Sequence, residues 1–224
     1  MVKATRAVNE DEDPRASDGR IPGRRGLATR QRLLDRTESL LDTMSFRDIK
    51  VIDIAREAKT SPATFYQYFP DIESAVLALA EATNLDTSEL GELVRHADWR
   101  GKKGYANALH LADAFIEFWE RHRATIRVTD LLVAEGDMRF QAIRTRLLND
   151  LALAMAEVMK QTSAGAKATS HRRLATAGVL VAMMANVTTH RYTYEFWGIQ
   201  TADLRASMAD IIFTSLTGKL PPAS

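Results

Sequence analysis

Apolar residues in this 224-residue chain recur three and four positions apart almost everywhere after residue 26. That is the spacing of one helix face. Leu33, Leu34, Thr37, Leu40, Leu41 and Met44 make the first stripe, which ends at Met44-Ser45. Val51, Ile54, Ala55 and Ala58 make a short second one, interrupted by Lys59-Thr60-Ser61. Ser61-Pro62 then starts a third, brief helix running to about Phe69. Ser61 suits the N-cap, and Pro62 suits the first helical position, where its missing N–H would be unpaired anyway. Pro70-Asp71 ends that helix and opens a linking helix over 71–85, carrying Ile72, Ala75, Val76, Leu79 and Ala82. Five longer amphipathic segments follow, over about 103–121, 123–134, 138–161, 169–196 and 202–217, with a loop around Gly165. No run has the period of two of a strand flanked by hairpin turns. The pattern predicts an all-α fold without internal repeats.

Composition adds limits. At 46% hydrophobic residues the chain can build a core, so global disorder is excluded. Residues 1–23 are polar and Pro/Gly-containing and are expected to be a disordered tail. Domains are expected at 24–70 and 71–224. The absence of cysteine excludes disulfides, thiolate metal sites and a Cys nucleophile, and fits a reduced cytoplasm. The longest uncharged stretch, 174–190, contains Thr176, Asn186, Thr188, Thr189 and His190. It falls short of the roughly 20 apolar residues of a membrane span, and residues 1–26 lack the apolar run of a signal peptide. No membrane partner is expected.

The net charge of +1 argues against a globally basic nucleic-acid binder, but the charge is unevenly distributed. An acidic run, Glu10-Asp11-Glu12-Asp13, is followed between 20 and 36 by six arginines against one aspartate, a local charge of +5. That basic run directly precedes the short helices. The second and third of these have helix-turn-helix proportions. In the third, Phe65 and Phe69 share a face and can pack inward, while Thr64, Tyr66, Gln67 and Tyr68 point elsewhere. Hydroxyl and amide groups so arranged can bond phosphates and base edges. Periodicity alone leaves a core helix with amphipathic tyrosines equally open.

The stretch from Phe46 to Ala58, FRDIKVIDIAREA, followed by Thr60 to Pro70, TSPATFYQYFP, resembles the TetR family of bacterial transcriptional regulators. Thr29-Arg30-Gln31-Arg32-Leu33-Leu34 is similar to that family's first helix. The resemblance covers about a quarter of the chain. It implies an N-terminal DNA-binding domain and a helical C-terminal domain that dimerises and binds a small effector. It implies that Thr64 contacts DNA from the recognition helix and that Tyr66 bonds a phosphate. Pro62, Ala63, Gln67 and Tyr68 lie on the same groove-facing helix, and Ser61 caps it and can touch a phosphate.

Three positions depart from the family. Lys59 stands where glycine is usual, so a left-handed backbone there costs roughly 1 kcal/mol; its charge faces the operator side. Lys50 stands where Ser or Thr is common, losing a side-chain cap but offering an ammonium to a phosphate. Asp71-Ile72-Glu73 replaces a stretch that often carries lysine. The basic arm, with Arg24 and Arg25 foremost and Arg30 behind them, is expected to compensate by reaching toward a minor groove; the bland alternative is a solvated tail.

The effector region is less defined. Phe115, Trp119, Met155 and Met183 are expected to line a cavity, with Asn186 and His190, four apart, as polar anchors within it. Plain core packing is the competing reading. The ligand expected is a small lipophilic molecule with one or two polar atoms. The last two long segments, 169–196 and 202–217, match the family's homodimer bundle, against ordinary intrachain packing. No cofactor or metal is expected. Zinc, di-iron, nucleophile-elbow and phosphate-loop motifs are all missing, and His110, Asp113 and Glu117 on one helix face read as surface. A DNA-binding dimer without an effector, or a helical enzyme acting on a lipophilic substrate, are the alternatives.

Overall fold

The first apolar stripe is buried along one side of helix α1 (Arg24–Thr43), through Leu33, Leu34, Thr37 and Leu41. The Thr37 hydroxyl is satisfied within the helix by donating to the Leu33 carbonyl at 2.8 Å. The computed structural model of the chain describes residues 23–162 and 164–222. The expected tail and Arg20 therefore lie outside the described residues, Gly23 excepted. Helix α1 starts earlier than its apolar stripe, so Arg24 and Arg25 form its first turn.

A single turn at Phe46–Asp48 leads into α2 (Val51–Glu57), then α3 (Pro62–Tyr68), then α4 (Ile72–His96). The linking helix is thus longer than the expected 71–85, because Leu90 and Val94 continue its buried stripe. Ile54, Ala55, Ala58, Phe65 and Phe69 are buried with the α1 stripe. Full burial of a Phe is worth about 1.5–3 kcal/mol, so Phe65 is a main anchor of α3. The described residues fall into two compact units divided between Leu79 and Ala80. The first turns of α4, with buried Ala75, Val76 and Leu79, belong to the first unit.

The second unit continues with α5 (Gly101–Arg121), α6 (Arg123–Ala134), α7 (Met138–Arg146), α8 (Asn149–Gln161), α9 (Ser170–Thr189), α10 (Arg191–Phe196) and α11 (Thr201–Thr217). No strand occurs among the described residues. Helix α11 packs on α5 and α8, and α8 on α9. Their shared core includes Phe115, Leu151, Met155, Leu180, Met184, Ile212 and Phe213. Gly104 lets α5 start tightly: a Cβ there would lie 2.3 Å from the Trp99 backbone. Across α5 and α11, Tyr105 donates to Asp210 at 2.7 Å, and Arg205 forms a two-point pair with Asp113.

Two expected long helices are each two helices. The segment 138–161 breaks at Leu148, which adopts φ 66° and is buried; the turn lets α7 pack on α6 while α8 packs on α9. The segment 169–196 breaks at His190, which ends α9 and begins α10.

Candidate nucleic-acid interface and effector region

The turn between α2 and α3 is set by three residues. Lys59 sits at φ 53°, the left-handed conformation that its place in the turn led us to expect. Thr60 N–H donates back to the Ala55 carbonyl at 2.9 Å. Ser61 Oγ accepts the Thr64 N–H at 3.1 Å, and Pro62 occupies the start of α3. Lys50, at the N-cap of α2, provides no side-chain cap.

Helix α3 is strongly two-faced. Phe65 is fully buried and Phe69 nearly so, with ring centroids 5.6 Å apart. Pro62, Ala63, Tyr66 and Gln67 are exposed, and Thr64 and Tyr68 are half-buried. Ser61, Lys50 and Lys59 are also exposed. An α-helix bearing hydroxyl and amide groups on its open face, flanked by lysines, has the dimensions and chemistry of a major-groove reader.

Arg24 and Arg25, expected in a basic N-terminal arm, are exposed in the first turn of α1 and so belong to a helix. That turn carries no acidic residue and no side-chain cap. Two cations there oppose the helix dipole, and an anion would relieve them. Arg30 is half-buried, its guanidinium 5.1 Å from the Phe69 ring centroid. It thus ties α1 to the end of α3, a packing contact that the sequence did not disclose.

In the second unit, Phe115, Trp119 and Met155 are core residues, with Phe115 and Trp119 stacked at 5.6 Å. Met183 is partly buried against the same core. Asn186 and His190 are exposed, so neither points into the interior of the chain; their expected role as anchors inside a cavity is corrected on that point. A groove of about 130 Å³ instead lies between α4 and α5, lined by Asp86, Glu89, Leu90, Leu93, Ala114, Glu117, Phe118 and Arg121. The sequence reading missed it, because two amphipathic helices do not disclose that their edges meet. Beside it, His122 Nε2 lies 2.9 Å from Asp86 Oδ2, and Nδ1 lies 3.4 Å from the Thr83 hydroxyl.

His110, Asp113 and Glu117 are exposed; Asp113 pairs with Arg205 and Glu117 with Arg121. No group of three or more metal-ligating side chains occurs among the described residues. No described helix is long and apolar enough to cross a membrane.

The comparisons with known proteins agree with this geometry. Residues 33–79 match the model for bacterial regulatory proteins of the tetR family, and residues 90–223 match the model for the tetracyclin repressor-like C-terminal domain. An uncharacterized HTH-type transcriptional regulator from Haemophilus influenzae is 29% identical over 124 residues, which is 55% of this chain and 58% of the relative. The chain therefore matches less than two thirds of that relative's length. Two solved structures share the fold. The fatty acid degradation regulator FadR from Bacillus halodurans has a TM-score of 0.62 and 14% identity, covering 88% of this chain and 96% of that one. FadR from Bacillus subtilis, solved with stearoyl-CoA, has a TM-score of 0.59 and 14% identity, covering 84% and 98%.

Proposed function

This chain belongs to the TetR family of bacterial transcriptional regulators, and on that footing we propose that it is a dimeric, cytoplasmic repressor released from its operator by a small lipophilic effector. The observation that carries the reading is the segregation of α3, with Phe65 and Phe69 inside and Pro62, Ala63, Tyr66 and Gln67 outside. In this mechanism α3 enters a major groove of double-stranded DNA. Thr64, Gln67 and Tyr68 meet base edges and Tyr66 bonds a phosphate. Ser61 and the ammonium groups of Lys50 and Lys59 contact the backbone, with Arg24 and Arg25 adding charge at the start of α1. Arg30 supports the interface from behind.

Two copies joined through α9 and α11 set two α3 helices about 34–36 Å apart, one DNA turn, on a pseudo-palindromic operator. The effector favours a dimer whose spacing no longer fits both half-sites. Coupling of that kind is typically 1–3 kcal/mol. Phe115, Trp119, Met155 and Met183 give the second unit an apolar interior suited to a lipophilic chain, and the α4–α5 groove offers an entry. At about 130 Å³ it is smaller than the roughly 300–1,000 Å³ of drug-sized ligand pockets, so side chains must move to admit one. Asn186 and His190 take part only where the second copy covers them.

Acyl-CoA esters are the first effectors to try, because the Bacillus subtilis neighbour binds stearoyl-CoA. The test is a titration of the operator-bound dimer with acyl-CoA esters of increasing chain length, read by fluorescence anisotropy of the DNA. Release at a defined chain length supports the reading. DNA binding that no lipophilic ligand weakens leaves a regulator without a small-molecule effector.

A further inference from the structure

Helix α10 is firmly anchored on one side and bare on the other. Arg191, only 16% exposed, lies 3.3 Å from both the Glu120 and the Glu195 carboxylates. Its guanidinium sits 4.9 Å from the Tyr192 ring centroid. The Tyr192 hydroxyl donates to Glu120 Oε2 at 3.2 Å, and Arg123 lies 5.7 Å from the same ring centroid. At the far end, the Thr201 hydroxyl donates to Glu195, and Gly198 turns the chain at φ 83°. These contacts fix α10 to the end of α5 and to the start of α11, so it is a built element rather than a frayed helix end.

Its outward side chains have no cover among the described residues. Phe196 is 87% exposed, Trp197 68% and Tyr192 48%, with Ile199 also open. At roughly 200 Å² for each aromatic side chain, the three rings leave about 400 Å² exposed, the size at which a patch marks an interaction site. A membrane surface is a poor match, because such helices carry Lys or Arg on their polar face. The one cation of α10, Arg191, is turned against Glu120.

Helices α9 and α11 flank α10 in the chain. Several of their exposed positions are small: Ser170, Ala175, Gly178, Ala182, Ala202 and Ser207. Among the large apolar residues of these two helices, only Leu174, Val179 and Ile211 are exposed. Small residues allow close approach of two helices but supply little area, whereas a stable interface buries about 800 Å² on each partner. The α10 aromatics supply about half of that.

We propose that Phe196 and Trp197 dock on a second copy of this chain and complete the interface that α9 and α11 begin. The proposal rests on the dimer reading given above and adds α10 as its main apolar anchor. The area argument predicts that the dimer is weak without these two side chains.

Three tryptophans make the test direct. Trp99 and Trp119 are buried in the chain, and Trp197 alone of the three is exposed. Acrylamide quenching is measured on the full chain across its association range, with sedimentation giving the dimer constant for the wild type, Trp197→Phe and Phe196→Ser/Trp197→Ser. Trp197 emission is expected to become protected as dimer forms. The double serine variant should keep its fold, since both side chains are exposed, but dimerise about thirtyfold or more weakly, as loss of an interface hot spot does. Trp197→Phe should retain most of the affinity. A dimer whose Trp197 stays quenchable, with the double variant associating like wild type, overturns the α10 anchor and leaves the α9–α11 dimer standing. A chain that stays monomeric at micromolar concentration removes the dimer itself, and the anchor with it.

Discussion

Ser61 Oγ accepts the backbone N–H of Thr64 at 3.1 Å and lies 3.0 Å from the Thr64 hydroxyl. One side chain therefore closes the start of α3 and orients the residue expected to meet DNA. A hydroxyl both donates and accepts, so Thr64 keeps hydrogen-bonding capacity for a base or phosphate. Ser61→Ala should cost about 1 kcal/mol of stability in urea unfolding. Ser61→Thr should retain most of it. Equal stability of the alanine variant would show that the cap does not hold the helix.

Lys59 is a compromise between strain and charge. Its φ of 53° favours glycine, so Lys59→Gly should raise stability by about 0.5–1 kcal/mol. The same change removes an exposed cation. If Lys59 touches a phosphate, the salt dependence of DNA binding should fall by about one in log–log slope. Thermal unfolding and anisotropy at several salt concentrations separate the two effects; an unchanged slope would remove Lys59 from the interface.

Arg24 and Arg25 follow the same logic at the start of α1. Replacing both by glutamate puts favourable charge at the positive end of the dipole, about 0.3–1 kcal/mol each. Stability should rise while affinity for every DNA sequence falls. A variant that is more stable and binds DNA as well as wild type would exclude both arginines from contact.

The Tyr105 hydroxyl links α5 to α11 through Asp210. That hydrogen bond, then burial, raises the tyrosine above its ordinary value. A raised folded value means that the stabilisation is complete below the unfolded tyrosine value near 10 and is lost as pH rises through the folded one. Melting temperatures measured from pH 8 to beyond pH 11 should therefore fall at the alkaline end. Tyr105→Phe should be less stable at neutral pH and show a flatter alkaline decline. Parallel curves for the two proteins would assign the decline to other groups.

The helical class and the two faces of α3 were legible because both depend on local spacing. So was the strain at Lys59, since the resemblance places it at a turn position that favours glycine. The break at Leu148 was hidden because apolar residues continue at helical spacing through it, and the one at His190 because no glycine or proline marks it. The start of α1 was hidden because its first turns, around Arg24 and Arg25, precede the apolar stripe that begins at Leu33. Residues 174–190 carry no charge on any side. Spacing could therefore put Asn186 and His190 on one face but could not say whether that face is inside or outside. The contact of Arg30 with Phe69, the groove between α4 and α5, and the anchoring of α10 on Glu120 are all tertiary, and no local pattern encodes them.

The central claim is that a pair of α3 helices reads DNA one turn apart, and selection from a random DNA library with the purified full chain tests it most directly. The account predicts an enriched palindrome with half-sites about one helical turn apart, centre to centre. It also predicts that Gln67→Ala relaxes preference at one position in each half-site, whereas Tyr66→Phe weakens binding to all selected sequences alike. A single unpaired half-site, or a Gln67→Ala motif identical to wild type, would contradict it.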